Sequence, residues 1–278
     1  MNYRIKIALQ YLAPQRALCW LSKKLCQCRW VWWKNWQINY LIRRFGADMS
    51  TAELQQLTDY PDFNSFFTRR LKPELRPIAE DKGVIISPVD GSISQIGKIE
   101  RGLLFQAKGF YFDTVELLGG SADRAKPFGA GYYATLYLAP KDYHRVHMPC
   151  RGTLREAIYI PGKLFSVNTL TSQKIPRLFS RNERLVCLFD TDQGPMAVIL
   201  VGAMLVSGIK TIWSDTVASR HLKDVTPEKP ITLEKGEELG HFEMGSTVIL
   251  LFAAQQMGWS RNALAGRDVK MGQALGSF

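Results

Sequence analysis

Four side chains of the 278-residue sequence stand where they could exchange protons. Asp90 lies in "SPVDGSI", a Pro/Gly turn between two β-forming runs, where Asp before Gly is ordinary turn chemistry unless the fold brings a base to it. His144 and His147 lie in "APKDYHRVHMPCRG" and are two of only four histidines. Ser246 lies in "HFEMGSTVILLFAA", where a Gly-Ser-Thr turn runs straight into an apolar strand. In chain order, Asp90, His147 and Ser246 form a base-activated hydroxyl if the fold gathers them: the imidazole takes the hydroxyl proton and the carboxylate steadies the charge that results. The i, i+3 spacing of the histidines would also suit a metal on a helix. No His-Glu-x-x-His accompanies it, and the flanking residues read as a loop entering a strand, so no metal is expected. Ser246 lacks the Gly-x-Ser-x-Gly elbow of a conventional hydrolase nucleophile.

The elements that must position these residues are β-rich. From Val84 onward, short runs such as "VIIS", "SISQIG", "YYATLYLA", "TLREAIYI", "RLVCLFD", "MAVILVGAMLV" and "TVILLFAA" are separated by Gly, Pro and Asp. Their spacing predicts antiparallel sheets in a sandwich or barrel-like body. Upstream, Ser50 with Glu53 three residues later reads as a capping box for a short helix, and "DFNSFFTRRLK" as a second helix before Pro73. The expected class is α+β, with a helical segment over residues 1–70 and a β-rich catalytic domain over 71–278.

The charge of +11 is concentrated at one end. Residues 1–46 hold nine Lys/Arg and no acid, together with five of the seven tryptophans, whereas the remaining chain has 27 basic against 25 acidic residues. Leu18, Leu21, Leu25, Cys28, Trp32 and Trp36 recur at steps of three or four, the period of one helical face. An apolar face bordered by indoles and ringed by cations suits the headgroup layer of an anionic membrane, each cation contributing about 1 kcal/mol there. The same pattern would also serve a helix pair packed on the body or on a second subunit. Nucleic acid is not expected as a partner, because the balanced body offers no second basic patch to continue its path. The longest uncharged apolar stretch, Met196 to Ile209, has 14 residues and falls short of the roughly 20 that span a bilayer. No secretory signal pattern is present, and the five cysteines have no framework spacing, which reads as reduced thiols in a cytoplasmic compartment.

"FFTRRLKP", "SPVDG", "DYHRVHMP", "PGKLFSVN" and "MGSTVILLF", spread from about Phe63 to the C-terminus, closely resemble the bacterial phosphatidylserine decarboxylases. The family's motif is usually Leu-Gly-Ser-Thr; here Met244 takes the first place, a change of packing rather than of reactive groups. The resemblance implies a precursor that cuts itself between Gly245 and Ser246, giving a β chain 1–245 and an α chain 246–278 whose first residue becomes a pyruvoyl group. It implies that His147 takes the Ser246 proton with Asp90 orienting the imidazole, and that His144 assists decarboxylation or the protonation that follows. The substrate it implies is phosphatidylserine, converted to phosphatidylethanolamine and CO2 through a Schiff base to the pyruvoyl ketone, with no metal. Ser166 and Asn168 would face the pocket. The family further suggests a homodimer of cleaved protomers on the cytoplasmic face of the bacterial inner membrane. The competing enzyme reading is a membrane-associated serine hydrolase using Asp90, His147 and Ser246 in an intact chain.

Overall fold

The computed structural model describes residues 3–81, 83–204, 208–215, 219–244, 246–253 and 256–278. Its centre is a nine-stranded antiparallel sheet in which Ser246–Phe252 lies between Gly131–Leu138 on one side and Gly194–Val201 on the other. The run "STVILLF" is apolar without alternation because both faces of the sheet are covered. Val248, Leu250 and Phe252 join one buried cluster with Leu136, Leu185 and Val198, while Ile249 and Leu251 join another with Ile158, Val186 and Phe165. Each such side chain contributes about 1.5–3 kcal/mol on leaving water, so this strand is held more firmly than any edge.

The α+β class and the antiparallel sheets are as expected, and the body stops short of a closed barrel. The large sheet ends at the two-residue strands Lys223–Asp224 and Asp268–Val269, which do not pair with each other. Short edges of this kind leave the sheet open and offer little template for further pairing. A smaller sheet orders Ile209–Thr211, Glu238–Phe242 and Arg145–His147, and another joins Val84–Ile86, Ala274–Ser277 and Gly258–Trp259.

Helices α1 (Tyr3–Leu12), α2 (Gln15–Cys26), α3 (Val31–Phe45) and α4 (Phe63–Phe67) form a layer against this body. The predicted helical face over 15–45 is interrupted at Gln27–Trp30, where Cys28 falls. The Trp33 indole reaches back to donate to the Leu25 carbonyl at 3.0 Å, sharing with the Cys28 amide (3.4 Å) an acceptor left over at the end of α2. Inside the layer, the buried Lys34 ammonium donates to the Leu57 and Tyr60 carbonyls at 2.7 Å each. Outside it, Trp20, Trp30, Trp32 and Trp36 are 56–67% exposed. Rings from Trp30 through Trp32, Trp33, Trp36 and Tyr40 to Phe45 contact one another in sequence along this surface.

The short helix expected at Ser50–Glu53 does not form. Asp48 accepts from both the amide (2.9 Å) and hydroxyl (2.7 Å) of Ser50, while Glu53 N–H donates to Arg70 and Lys72 N–H to Thr51, pulling the segment into an extended pairing. A capping box does occur six residues later, between Gln56 and Asp59 on a single 3₁₀ turn. The helix expected in "DFNSFFTRRLK" is present as α4, capped by Asp62, which accepts from Ser65 N–H at 2.8 Å.

Candidate active site

Ser246 occupies the first position of the central strand, opposite Leu138. Its side chain is fully buried, and neither its hydroxyl nor that of Thr247 has a hydrogen-bond partner among the described residues. An unpaired buried hydroxyl costs about 1–3 kcal/mol, which packing alone gives no reason to retain. Gly245, the other half of the expected cleavage site, lies outside the described residues.

His147 is carried by Arg145–His147, whose partner strand Glu238–Phe242 precedes Ser246 by four residues. Its amide donates to the Pro88 carbonyl at 2.9 Å, tying the histidine strand to the turn that holds Asp90. The ring nitrogens are both engaged: Nδ1 lies 2.8 Å from the Gly236 carbonyl and Nε2 lies 3.0 Å from the Tyr143 hydroxyl. A carbonyl only accepts, so Nδ1 carries the proton and Nε2 the lone pair, into which Tyr143 donates. Burial pushes His147 below the usual histidine range, partly offset by the Gly236 carbonyl and by the charges of Glu238 and Asp90. The ring is therefore a neutral base at pH 7 with its lone pair on Nε2.

Asp90 does not touch His147. Arg76 holds its carboxylate through Nε at 2.8 Å and through Nη2, Lys270 lies at 3.4 Å, and the Met271 amide donates at 2.9 Å. Burial opposes its charge, but the Arg76 and Met271 hydrogen bonds and the two cations outweigh burial and hold the carboxyl below the usual carboxylate range. It acts on the imidazole as a fixed negative charge rather than through a hydrogen bond.

His144 is fully buried and stacked on Phe67 of α4, with ring centroids 4.0 Å apart and planes inclined by 20°. Neither ring nitrogen has a well-formed hydrogen bond, although the Ala139 and Pro140 carbonyls lie near enough to favour the charged ring slightly. Burial, helped by the Arg69 guanidinium, wins and pushes the ring down to about 3, so it is neutral at physiological pH.

Between the helical layer and the body is a cavity of about 560 Å³. Leu18, Leu21 and Leu25 of α2, Phe63 of α4, and Leu138 and Met244 line it, and the last two flank Ser246 across and along the chain. Ser166 and Asn168 line it as well. The Asn168 side-chain carbonyl also caps a short helix by accepting from Thr171 N–H at 3.1 Å, so this residue serves turn and cavity together.

Three contributors escaped the sequence reading. Arg76 is one arginine among many in a Pro-rich stretch and carries no local signal. Tyr143 stands inside the "DYHRVH" motif and was passed over for its histidine neighbours. Glu243 is fully buried yet paired with Lys23 of α2 at 3.3 Å and Lys210 at 3.5 Å, linking the helical layer to the segment just before Ser246. An acid within "HFEMGST" was the available signal, since a carboxylate beside an apolar strand is retained only when paired. Among the described residues, no group of three or more His, Cys, Asp or Glu is gathered to hold a metal ion.

A buried strand-borne hydroxyl, a neutral histidine on the neighbouring sheet and an apolar cavity walled by tryptophan-bearing helices suit an α+β enzyme that handles an amphipathic substrate, although the hydroxyl and the imidazole are not hydrogen-bonded to each other. Comparison with known proteins makes this particular. The family described as phosphatidylserine decarboxylase matches residues 63–277, and a second family model, described as PSD, matches residues 5–46. The chain belongs to the phosphatidylserine decarboxylase family. It is 52% identical to a phosphatidylserine decarboxylase proenzyme of Ectopseudomonas mendocina, over all of this chain and 99% of that one. It is 51% identical to the corresponding proenzyme of Pseudomonas fluorescens (strain Pf0-1), over 99% of this chain and 98% of its relative. Both relatives are named as decarboxylase precursors, and nothing in these names points to a hydrolase.

Proposed function

We propose that this chain decarboxylates phosphatidylserine to phosphatidylethanolamine and CO2, using a pyruvoyl group that it makes from its own Ser246. The observation that carries this reading is the buried, unpartnered Ser246 hydroxyl at the head of the central strand, flanked by the walls of an apolar cavity. A group made from the chain itself needs no separate binding site, and the residues present fit it. When formed, the pyruvoyl ketone withdraws electrons from the carbon that loses CO2.

The remaining work falls to side chains. His147 Nε2 accepts the Ser246 proton as the hydroxyl attacks the Gly245 carbonyl, the Tyr143 hydroxyl turning its donor off that nitrogen to free the lone pair, and the charges of Asp90 and Glu238 favour the imidazolium that results. Glycine at 245 leaves that carbonyl uncrowded. The break divides the chain into 1–245 and 246–278. His144 then offers an uncharged ring to the reacting carbon, assisting CO2 loss or the protonation that follows. Acyl chains fill the cavity, and Ser166 and Asn168 stand at its polar edge. Residues 1–70 hold this mouth at the headgroup layer on the cytoplasmic face of the membrane, residues 71–278 carry the chemistry, and two cleaved protomers associate as a homodimer.

The decisive assay combines turnover with covalent capture. Protein from a membrane fraction should release CO2 from phosphatidylserine and lose that activity on reduction with cyanoborohydride and ammonia, which converts the N-terminus of the 246–278 chain to alanine. An intact chain phosphonylated on Ser246 by a fluorophosphonate, with loss of fluoride, would establish the hydrolase instead.

Membrane attachment is tested separately. No helix among the described residues is long and apolar enough to cross a membrane. Lys24, Arg29 and Arg43 are exposed on α2, the α2–α3 connection and α3. Replacing all three with Gln should weaken binding to anionic vesicles by roughly a hundredfold at low salt, from about 1 kcal/mol per cation. Raising ionic strength should shrink the difference between the two proteins. Equal binding by wild type and variant would remove the electrostatic part of the proposal.

A further inference from the structure

A second cleft, of about 580 Å³, opens where α1 turns into α2 above the segment Gly162–Phe165. It shares no lining residue with the cavity beside Ser246. Among the described residues, three cations line it, Arg16, Lys163 and Arg181, and no acid does. None of the three forms an ion pair among the described residues.

Arg181 has the most unused donor capacity of the three. It is half-buried, with its guanidinium 5.6 Å from the Tyr11 ring centroid and 5.0 Å from that of Phe165, so its plane is held in place by rings. Its polar contacts are two long ones, Nη1 to the Tyr11 hydroxyl at 3.4 Å and to the Pro176 carbonyl at 3.4 Å. A guanidinium has five N–H donors, and most of these have no protein acceptor. Glu183, which does not line the cleft, feels the Arg16 charge, but burial raises it above the usual carboxyl range while the Tyr159 phenol and Arg16 hold it down. The cleft thus gathers three cations with no carboxylate among its described lining residues. The amides at the start of α2 add a weaker field of the same sign.

The surroundings select the kind of anion. Leu12 and Trp20, 80% and 64% exposed, stand on the same two helices, next to Tyr11 and three residues past Ala17 of the cleft lining. A soluble anion has no use for apolar side chains at the rim of its site, whereas a lipid presents a phosphate with hydrocarbon next to it. We propose that this cleft binds the headgroup phosphate of an anionic phospholipid, at a site separate from the cavity where decarboxylation takes place. The two are mechanically adjacent. Residues 15–17 of α2 line the cleft and Leu18 and Leu21 line the cavity; Gly162–Phe165 line the cleft and Ser166–Asn168 the cavity. A lipid seated in the cleft braces one helix and one strap that also wall the catalytic cavity.

The site is separable from diffuse surface attraction by using a monomeric lipid. Full-length protein is incubated with a short-chain phosphatidylglycerol, below its micelle concentration, carrying a diazirine on the glycerol next to the phosphate. After irradiation, adducts are mapped by mass spectrometry. Phosphatidylglycerol is not the decarboxylase substrate and the readout needs no turnover, so failure here is distinct from failure of the decarboxylase reading.

Adducts should concentrate at residues 11–17 and 162–165 and saturate at one lipid per chain. The double variant R16Q/K163Q should lose about tenfold in labelling at those residues, the effect of removing one charge-assisted contact or more. The variant K24Q/R29Q, equal in charge lost, should label as wild type does. Arg181 is left in place because its ring contacts are structural. Equal loss in both variants, adducts scattered along the exposed helices, or adducts only near Leu138 and Met244 would each overturn the proposal. So would protection by inorganic phosphate as effective as unlabelled lipid, which would make the ligand a soluble anion.

Discussion

Ser246→Ala protein should be isolated as a single chain of about 31.5 kDa that neither cleaves nor decarboxylates. The wild-type protein should instead give two chains, with the 33 residues from 246 to 278 blocked at the N-terminus. Intact mass under denaturing conditions separates these outcomes. The loss should be complete rather than partial, because in the proposed mechanism the side chain supplies both the attacking atom and the material of the prosthetic group. The variant should not be crippled in folding. Its hydroxyl is buried without a partner, so removing it relieves about 1–3 kcal/mol of desolvation at the cost of one small void. Thermal unfolding should therefore be at or above that of another uncut precursor. Fragments from Ser246→Ala would place the break elsewhere.

The two histidines should fail in different ways. His147→Gln keeps a donor toward the Gly236 carbonyl but offers no lone pair of imidazole basicity, and self-cleavage should slow by about 10²–10⁴. His144→Phe keeps the ring stacked on Phe67 and deletes two nitrogens that have no well-formed hydrogen bond. That chain should still cut itself, while decarboxylation by the matured protein falls by about 10²-fold or more. Gel separation of the chains reads the first step, and CO2 release at matched amounts of cut protein reads the second. If His144→Phe remained uncut, the division of labour between the histidines would be wrong.

Much of the body was legible because a doubly covered sheet leaves a strong mark. "RLVCLFD", "MAVILVGAMLV" and "TVILLFAA" are too apolar and too short for anything but buried strands, and each contains one. What could not be read were the places where distant partners override local preference. Ser50 and Glu53 have the right spacing for a cap, but Asp48 takes the Ser50 amide, and Thr51 and Glu53 pair with Lys72 and Arg70 instead. The interruption at Gln27–Trp30 has no Gly or Pro to announce it. At the site, residue identity was visible and contact geometry was not: "VDG" and "HRVH" point to Asp90 and His147, yet Arg76 and Lys270 claim the carboxylate and Gly236 and Tyr143 claim the ring. The buried pairing of Glu243 with Lys23 likewise joins residues 220 positions apart, beyond any local pattern.

The central position of Ser246–Phe252 has a consequence for the lifetime of the molecule. That strand is hydrogen-bonded on both flanks to 131–138 and 194–201, and the same C-terminal segment also pairs with Val84–Ile86 and Gly91–Ile99. A break at its head would therefore leave the two pieces interwoven, with nothing to drift apart. But the covalent link that lets a chain find its own middle strand would be gone, and a matured molecule that once unfolds faces a bimolecular search for a buried strand. If the chain matures as proposed, such a scaffold would work as a one-way ratchet: each molecule would fold while continuous, arm itself once, and refold poorly afterwards.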